Sequence, residues 1–501
     1  MAEGVPDMAQ GRKIPKRFWW AKRIFVCWLV LLAAVVITRY WWNHLAEQRL
    51  SDEIAAIHAR GQRLDWLNMA PPPLPDEQNA AVYYRQAFAA MAAVQPPLYS
   101  PDDLAALPSY RAKHLAEADA ILAAHAAVFD LCRQARSIPG VNWGIVHASP
   151  ATLGMGFTQY GNARGLAKLL RLQAIRQAER GDSAGAVETM LDADALARAI
   201  GNDGPLIGHL VSIAIQSLNA AGSGDIAPLL NSTAGPATTQ PADRQAVLTL
   251  ITQLLDDLPL ASLRESVIVE RAWVYDGLEW VIGGGSYWSV LGSPPGGIDM
   301  IDTAPGRWLR EPLMRSALAW VLPYFGDVLD RASQPNLILA EQHKRISETG
   351  LRGPKQFFAM LMFASYDQVL EITYQTLVNR RMAAIALALR LFELEKGRAA
   401  DSLDQLVPEY LPSVPQDPFD PAGGPIRALL TDAKPRLYSL SGNKLDDGGV
   451  TTPTVLGRPS DIVLFLRPGD KPEGTPIYEP TSEPSTDPAS ADGATNEGGT
   501  N

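Results

Sequence analysis

The strongest constraint on this chain is an uncharged apolar run, Ile24–Ile37 (IFVCWLVLLAAVVI), directly behind a basic cluster. Arg12, Lys13, Lys16, Arg17, Lys22 and Arg23 make up that cluster, and Thr38, Arg39, Tyr40, Trp41 and Trp42 follow the run. At ~1.5 Å per helical residue the strict run covers roughly 21 Å, short of the ~30 Å hydrocarbon core. Extension to Trp42 brings it to about 28 Å, enough for a span. Arg39 then lies within one turn of the boundary, where a long side chain snorkels to the headgroups. Trp19 and Trp20 at one end, and Tyr40, Trp41 and Trp42 at the other, fit aromatic belts at the two interfaces. A cleavable signal peptide is the competing reading, but Thr38–Trp42 offers no small-x-small cleavage site. A pilin-type leader is a third, but Gly11 is followed by Arg12 rather than by an apolar helix. The expected layout is a basic cytoplasmic segment (1–17) and a retained anchor (18–42). The positive-inside rule puts the C-terminal side across the inner membrane, in the periplasm or beyond.

The remaining chain is too long for one ordinary core. A net charge of -10 argues against a general nucleic-acid binder, because phosphate binding needs a basic surface. Cys27 lies in the apolar run, so Cys132 is the single thiol of the body and no intrachain disulfide is expected there.

Apolar periodicity predicts an irregular, mainly α-helical exported region over 43–350. An amphipathic helix is expected from about 44 to 70, broken by Pro71-Pro72-Pro73. A second runs from Asp76 to before Pro96, and one or two Ala-rich helices fall within 101–136. Asn162–Arg180 and Ser183–Ile200 predict a helical hairpin about Gly181-Asp182. That hairpin has a tetratricopeptide flavour, but no second copy at a period of roughly 34 residues accompanies it. Leu206–Ala221 predicts a helix and 222–243 a loop. Helices resume at Arg244 and run to about Ile282, and 283–307 reads as a long irregular loop. Pro312–Ala332 is apolar and reads as buried, interrupted at Pro323. Lys355–Lys396 predicts one long helix or two. Beyond Leu466 the composition is Pro, Ser, Thr, Glu, Asp and Gly. Such a tail (467–501) is expected to be disordered, since it cannot bury enough apolar area to offset ordering entropy.

The region 376–466 carries a more specific pattern. Met382–Glu395 predicts a helix with Ile385, Leu389 and Phe392 inward and Gly397 as its C-terminal stop. Ser402–Val407 predicts a short helix with Leu403 and Leu406 inward. Arg436–Leu440 and Asp461–Leu466 predict strands joined by an acidic, Gly-rich loop.

The order of Gly397, Leu403, Leu406 and Val407, then Pro415, Asp417, Pro418 and Phe419, resembles the globular part of the major pseudopilin of bacterial type II secretion systems. Tyr438, Ser439, Leu440, Gly448, Gly449, Asp461 and Ile462 continue the match. The resemblance covers under a fifth of the chain and implies a small α+β module. It further implies calcium in the loop between the last strands, held by the Leu440 carbonyl, the Asn443 side chain and the Asp461 carboxylate, with Asp446 or Asp447 contributing. Hard oxygens on a Gly-rich loop suit Ca²⁺. Asn443 stands where the family prefers Asp, and Gly449–Asp461 is longer than usual. Residues 43–375 intervene between anchor and module, unlike in an ordinary pseudopilin.

Catalytic patterns are not evident. None of His44, His58, His114, His125, His147, His209 and His343 forms a compact ligand pattern, and His114 and His125 read as surface groups. Asp192-x-Asp194 lacks the Gly and distal Glu of an EF-hand and reads as a helix surface. There is no nucleophile elbow or P-loop. The aromatics Trp273, Tyr275, Trp280, Tyr287, Trp288, Trp308 and Trp320 read as core, or as the wall of a groove for a polymer or peptide. The expectation is a non-enzymatic envelope scaffold whose partners are the bilayer and secretion- or pilus-type proteins. An exported ligand- or peptide-binding protein is the alternative, and an enzyme with a dispersed site the third.

Overall fold

The computed structural model describes residues 17–94, 115–151, 158–202, 204–231, 240–286, 290, 304–346, 366–450 and 461–470. Twelve α-helices and one three-stranded sheet lie among them, so the protein is mainly helical.

Helix α1 (Arg17–Ala59) is a single 43-residue rod. Its first half is exposed on every side, from Trp19 through Thr38. Its second half buries one stripe, Ala46, Leu50 and Ile57, with Ile54 packed at its edge. The separate helix expected from 44 to 70 is therefore the continuation of the apolar N-terminal helix, and it ends at Ala59 rather than near Pro71. No breaker stands between Tyr40 and Leu50, so the intrahelical ladder continues without a cost.

Helices α2 (Ala80–Ala93), α3 (Leu115–Ala124) and α4 (Ala126–Arg136) follow. The centre of the body is built by α5 (Thr158–Glu179), α6 (Ser183–Gly201) and α7 (Leu206–Ile226). The α5–α6 turn is local chemistry. Gly181 takes φ +84°, and Asp182 accepts from Gly185 N at 2.8 Å to cap α6. Helices α8 (Arg244–Leu255) and α9 (Leu258–Ile282) come next, meeting at 45°. Their apolar residues, among them Leu250, Leu254, Leu263 and Val267, are buried in the body.

Helix α10 (Ala304–Ala332) contains Pro312 and Pro323 yet is continuous. The expected interruption at Pro323 does not occur. An internal proline costs about 3 kcal/mol through its lost N–H and ring clash. Burial of Leu318, Leu322, Tyr324, Phe325 and Val328 around it offsets that cost, since each large apolar side chain contributes about 1.5–3 kcal/mol. Helix α10 runs beside α1 and α9.

Helix α11 (Leu337–Gln342) leads to α12 (Tyr366–Lys396), which packs along α7 and α8. Gly397 follows it at φ +67°, the left-handed stop expected there. Leu403–Leu406 is a 3-10 turn with Leu403 and Leu406 buried. The sheet is antiparallel in the order β1 (Arg427–Leu429), β2 (Arg436–Ser439), β3 (Ile462–Phe465). Tyr438 pairs with both Arg427 and Val463. Strands β2 and β3 have the expected position, and β1 is an addition to them, its three residues being too short for a periodic signal. Strands β2 and β3 rest on α12, so the helix that opens the C-terminal region is also a central strut of the body. The expected disordered tail falls outside the described residues beyond Asp470.

Candidate functional site

The acidic loop after β2 is assembled by two carboxylates distant in sequence. Asp417, 1% exposed, accepts from Ser439 Oγ at 2.7 Å and from Leu440 N at 3.0 Å. It also accepts from Phe419 N at 2.9 Å, so it ties the Asp417-Pro418-Phe419 turn to the end of β2. Asp461, 2% exposed, accepts from Gly449 N at 2.8 Å through Oδ2. Its Oδ1 is buried, and no hydrogen bond to it is formed within the distance and angle limits of a normal bond among the described residues. Burial raises the Asp461 carboxyl above its ordinary range; the Gly449 and Val450 backbone N–H groups oppose this, and Asp447 and Asp446 add to it.

The remaining loop groups are partly engaged. Asn443 Nδ2 donates to Asp447 Oδ2 at 2.7 Å, and Asn443 Oδ1 accepts from Leu445 N at 3.0 Å. Asp446 accepts from Gly448 N at 3.0 Å, and its other oxygen lies 3.1 Å from Arg427 Nε. Arg427 also pairs with Asp420 at 2.8 Å, a cation on β1 that sequence reasoning missed. Leu440 is buried. The structure thus gathers Leu440, Asn443, Asp446, Asp447 and Asp461 around one turn. No group of three or more His, Cys, Asp or Glu side chains is close enough to share a metal ion among the described residues.

On α1, Trp19, Trp20, Tyr40, Trp41 and Trp42 are exposed. Arg39 is engaged by α10. Its Nε donates to the Trp308 carbonyl at 2.7 Å, and its guanidinium lies 3.6 Å from Glu311. Trp42 Nε1 donates to Ser316 Oγ at 2.8 Å, and that hydroxyl donates to the Pro312 carbonyl at 2.7 Å.

The body holds charge where the sequence suggested surface. Asp192 and Asp194 are 1% and 0% exposed, not on a helix face open to water. Asp192 lies 2.8 Å from Arg133 Nε and 3.0 Å from Arg136 Nε. Burial nevertheless pushes its carboxyl up to about 6, against the pull of Arg136 and Arg133. Asp194 pairs with Arg380 at 3.0 Å and Arg198 at 2.7 Å. The usable signal was composition: the MLDADALARAI stretch has too few polar residues for a full solvent face.

His125 is buried rather than at the surface, with Nδ1 2.7 Å from the Ile121 carbonyl; His114 lies outside the described residues. His209 is enclosed between Ser262 Oγ (3.1 Å) and Thr373 Oγ1 (2.9 Å), and burial pushes its pKa down to about 3. It is a neutral hydrogen-bonding core residue at physiological pH. The aromatics divide: Trp273 is buried, Trp320 stacks on Tyr324 at 5.5 Å, and Trp280 and Trp308 are exposed. Tyr287 and Trp288 lie outside the described residues.

Glu270 carries a titratable consequence. It accepts from Leu206 N at 3.1 Å at the start of α7, and burial pushes its carboxyl up to about 7 against that hydrogen bond. The folded chain then binds this proton more tightly than the unfolded chain does. Stability from this group is full below the ordinary value near 4.5 and falls as pH rises to about 7. Glu270→Gln keeps an acceptor for Leu206 and is expected to raise stability at pH 8 by roughly 1–3 kcal/mol. At pH 4 it should change little. Melting profiles of both proteins across pH check this, and identical pH slopes would refute it.

No family model, curated protein or solved structure matches the chain. The class rests on its own geometry: a mainly helical protein with one N-terminal helix long and apolar enough to cross a membrane.

Proposed function

We propose that this protein is a non-enzymatic scaffold of the bacterial envelope, anchored in the inner membrane with its basic end in the cytoplasm. Its C-terminal module contacts secretion- or pilus-type envelope proteins. The observation that carries this reading is the unbroken passage of α1 from an all-exposed apolar segment into the packed body. A tether that is also a core element fixes the body's position against the bilayer, which suits a scaffold more than a freely diffusing binder. The pairing of Asp417 with Ser439 and Leu440, and of Asp461 with Gly449, supports the module reading, because the residues of the resemblance meet in space.

Crosslinking in intact cells followed by purification from membranes tests this. Recovery of pseudopilin- or pilin-type subunits is expected. Activity of a periplasm-dependent reporter fused at the N-terminus, or absence of such subunits among the products, would refute it.

Calcium belongs to the same proposal. Leu440, Asn443, Asp446 or Asp447 and Asp461 would hold it, and the buried Oδ1 of Asp461, which makes no normal hydrogen bond among the described residues, is the oxygen best placed to take a cation. Ca²⁺ is expected to raise the melting temperature of the full chain, and chelator to reverse the effect. Asp461→Asn keeps an acceptor for Gly449 and should abolish the response. A melting temperature indifferent to Ca²⁺ would defeat the idea. The full chain is needed, because cutting at 376 would sever α12 and expose its buried face.

A further inference from the structure

The contacts of α1 fix the depth of two other helix ends. Arg39 touches Trp308 and Glu311, Trp42 touches Ser316, and Glu47 lies 3.5 Å from Arg315. Further along, the Arg60 guanidinium approaches Gly326. From Arg39–Trp308 to Arg60–Gly326 the residue numbers rise on both sides, so α10 runs parallel to α1 and its N-terminus points back toward the bilayer. Helix α9 runs the other way. Arg264 donates to the Ala332 carbonyl at 3.2 Å, and Gly284 sits beside the Arg310 guanidinium. The C-terminal end of α9 and the N-terminal end of α10 therefore lie together at the level of Arg39.

That level is set by the anchor. From Trp19 to Tyr40 a helix rises about 32 Å, close to one hydrocarbon thickness. Trp308 at Arg39 is thus at the far boundary. At this end Trp280, Trp308 and Leu309 are 42%, 40% and 39% exposed, beside Tyr40 and Trp41 at 73% and 66%. Arg307 is exposed and Arg310 partly so, giving cations at the same height. The Arg39 guanidinium also sits 5.1 Å from the Trp308 ring centre. Tryptophans backed by arginines, in register with the end of a span, match the chemistry of the headgroup layer.

We propose that the ends of α9 and α10 form a foot seated in the interfacial layer of the bilayer that α1 spans, with Trp280, Trp308 and Leu309 inserted and Arg307 and Arg310 at the lipid phosphates. The foot rests on the anchor reading and goes beyond it: the body touches lipid at a second place and cannot swing on its tether. Continuity with the span argues for lipid over a second copy or another protein.

Spin labelling of the full chain in phosphatidylcholine–phosphatidylglycerol vesicles tests it. Native Cys27 is exposed on α1 and accepts a nitroxide, whereas Cys132 is buried and does not. Trp308→Cys and Trp280→Cys in a Cys27→Ser background report the foot. Leu445→Cys, exposed on the C-terminal loop, is the aqueous control. The expected ratio of oxygen to nickel-chelate accessibility is highest at 27, several-fold lower at 308 and 280, and lowest at 445. A ratio at 308 and 280 equal to that at 445, with 27 still lipid-exposed, overturns the foot and leaves the anchor standing. An aqueous ratio at 27 overturns both. Protection of 308 from both reagents would mean a protein covers it and also overturns the foot.

Discussion

Asp194→Ala is expected to destabilise the folded body by about 3–5 kcal/mol, the cost of leaving a buried charge without its partner. Arg380 and Asp194 are both 0% exposed, joined at 3.0 Å between α12 and α6. Arg380 also reaches Asp256 at 2.7 Å and the Gln253 carbonyl, while its Nε is buried without a partner. Removing Asp194 takes away the single carboxylate that is as deeply buried as the guanidinium. Asp256, 32% exposed, is screened by water and compensates only in part. Asp256→Ala should therefore cost less than Asp194→Ala. The double replacement Asp194→Leu with Arg380→Met should recover most of the loss, since an apolar pair of similar volume avoids both desolvation penalties. Thermal or denaturant unfolding of the detergent-solubilised chain ranks the variants. If Asp194→Ala melts with the wild type, the network is not the clamp between α6 and α12 that its geometry indicates.

If the apolar half of α1 spans the bilayer as proposed, two arginines in its middle are expected to abolish membrane integration. The run Ile24–Ile37 contributes on the order of −5 kcal/mol to insertion, at roughly −0.3 to −0.6 kcal/mol per strongly apolar residue. Leu31→Arg with Val35→Arg adds about 6–8 kcal/mol, enough to reverse the sign. Both side chains are exposed, at 64% and 46%, and neither supports the body. Alkaline carbonate should leave the wild type in the membrane pellet and release the variant. The body's unfolding midpoint should not change. A variant that resists extraction as the wild type does would mean that α1 is not what holds the protein in the bilayer.

Much of the architecture was legible in local sequence. The long apolar helix at the N-terminus, the α5–α6 hairpin at Gly181-Asp182, the stop at Gly397 and the strands β2 and β3 each follow from neighbours a few residues apart: apolar period, a cap, a left-handed glycine. For the candidate loop, the sequence and its resemblance supplied the participants, Leu440, Asn443, Asp446, Asp447 and Asp461. They did not supply Arg427, which β1 brings in and which engages Asp446.

What only the tertiary structure decided involves partners far apart along the chain. Asp194 looked like a surface acid until Arg380, 186 residues away, was placed beside it. Pro323 looked like a helix break until the burial of its neighbours outweighed one lost hydrogen bond. Arg39 has no partner within its own stretch of sequence, and α10 brings it a carbonyl and a carboxylate. Local order is encoded by spacing within a few residues. The fate of a charge is set by whichever distant group shares its burial, and the spacing along one sequence does not specify that group.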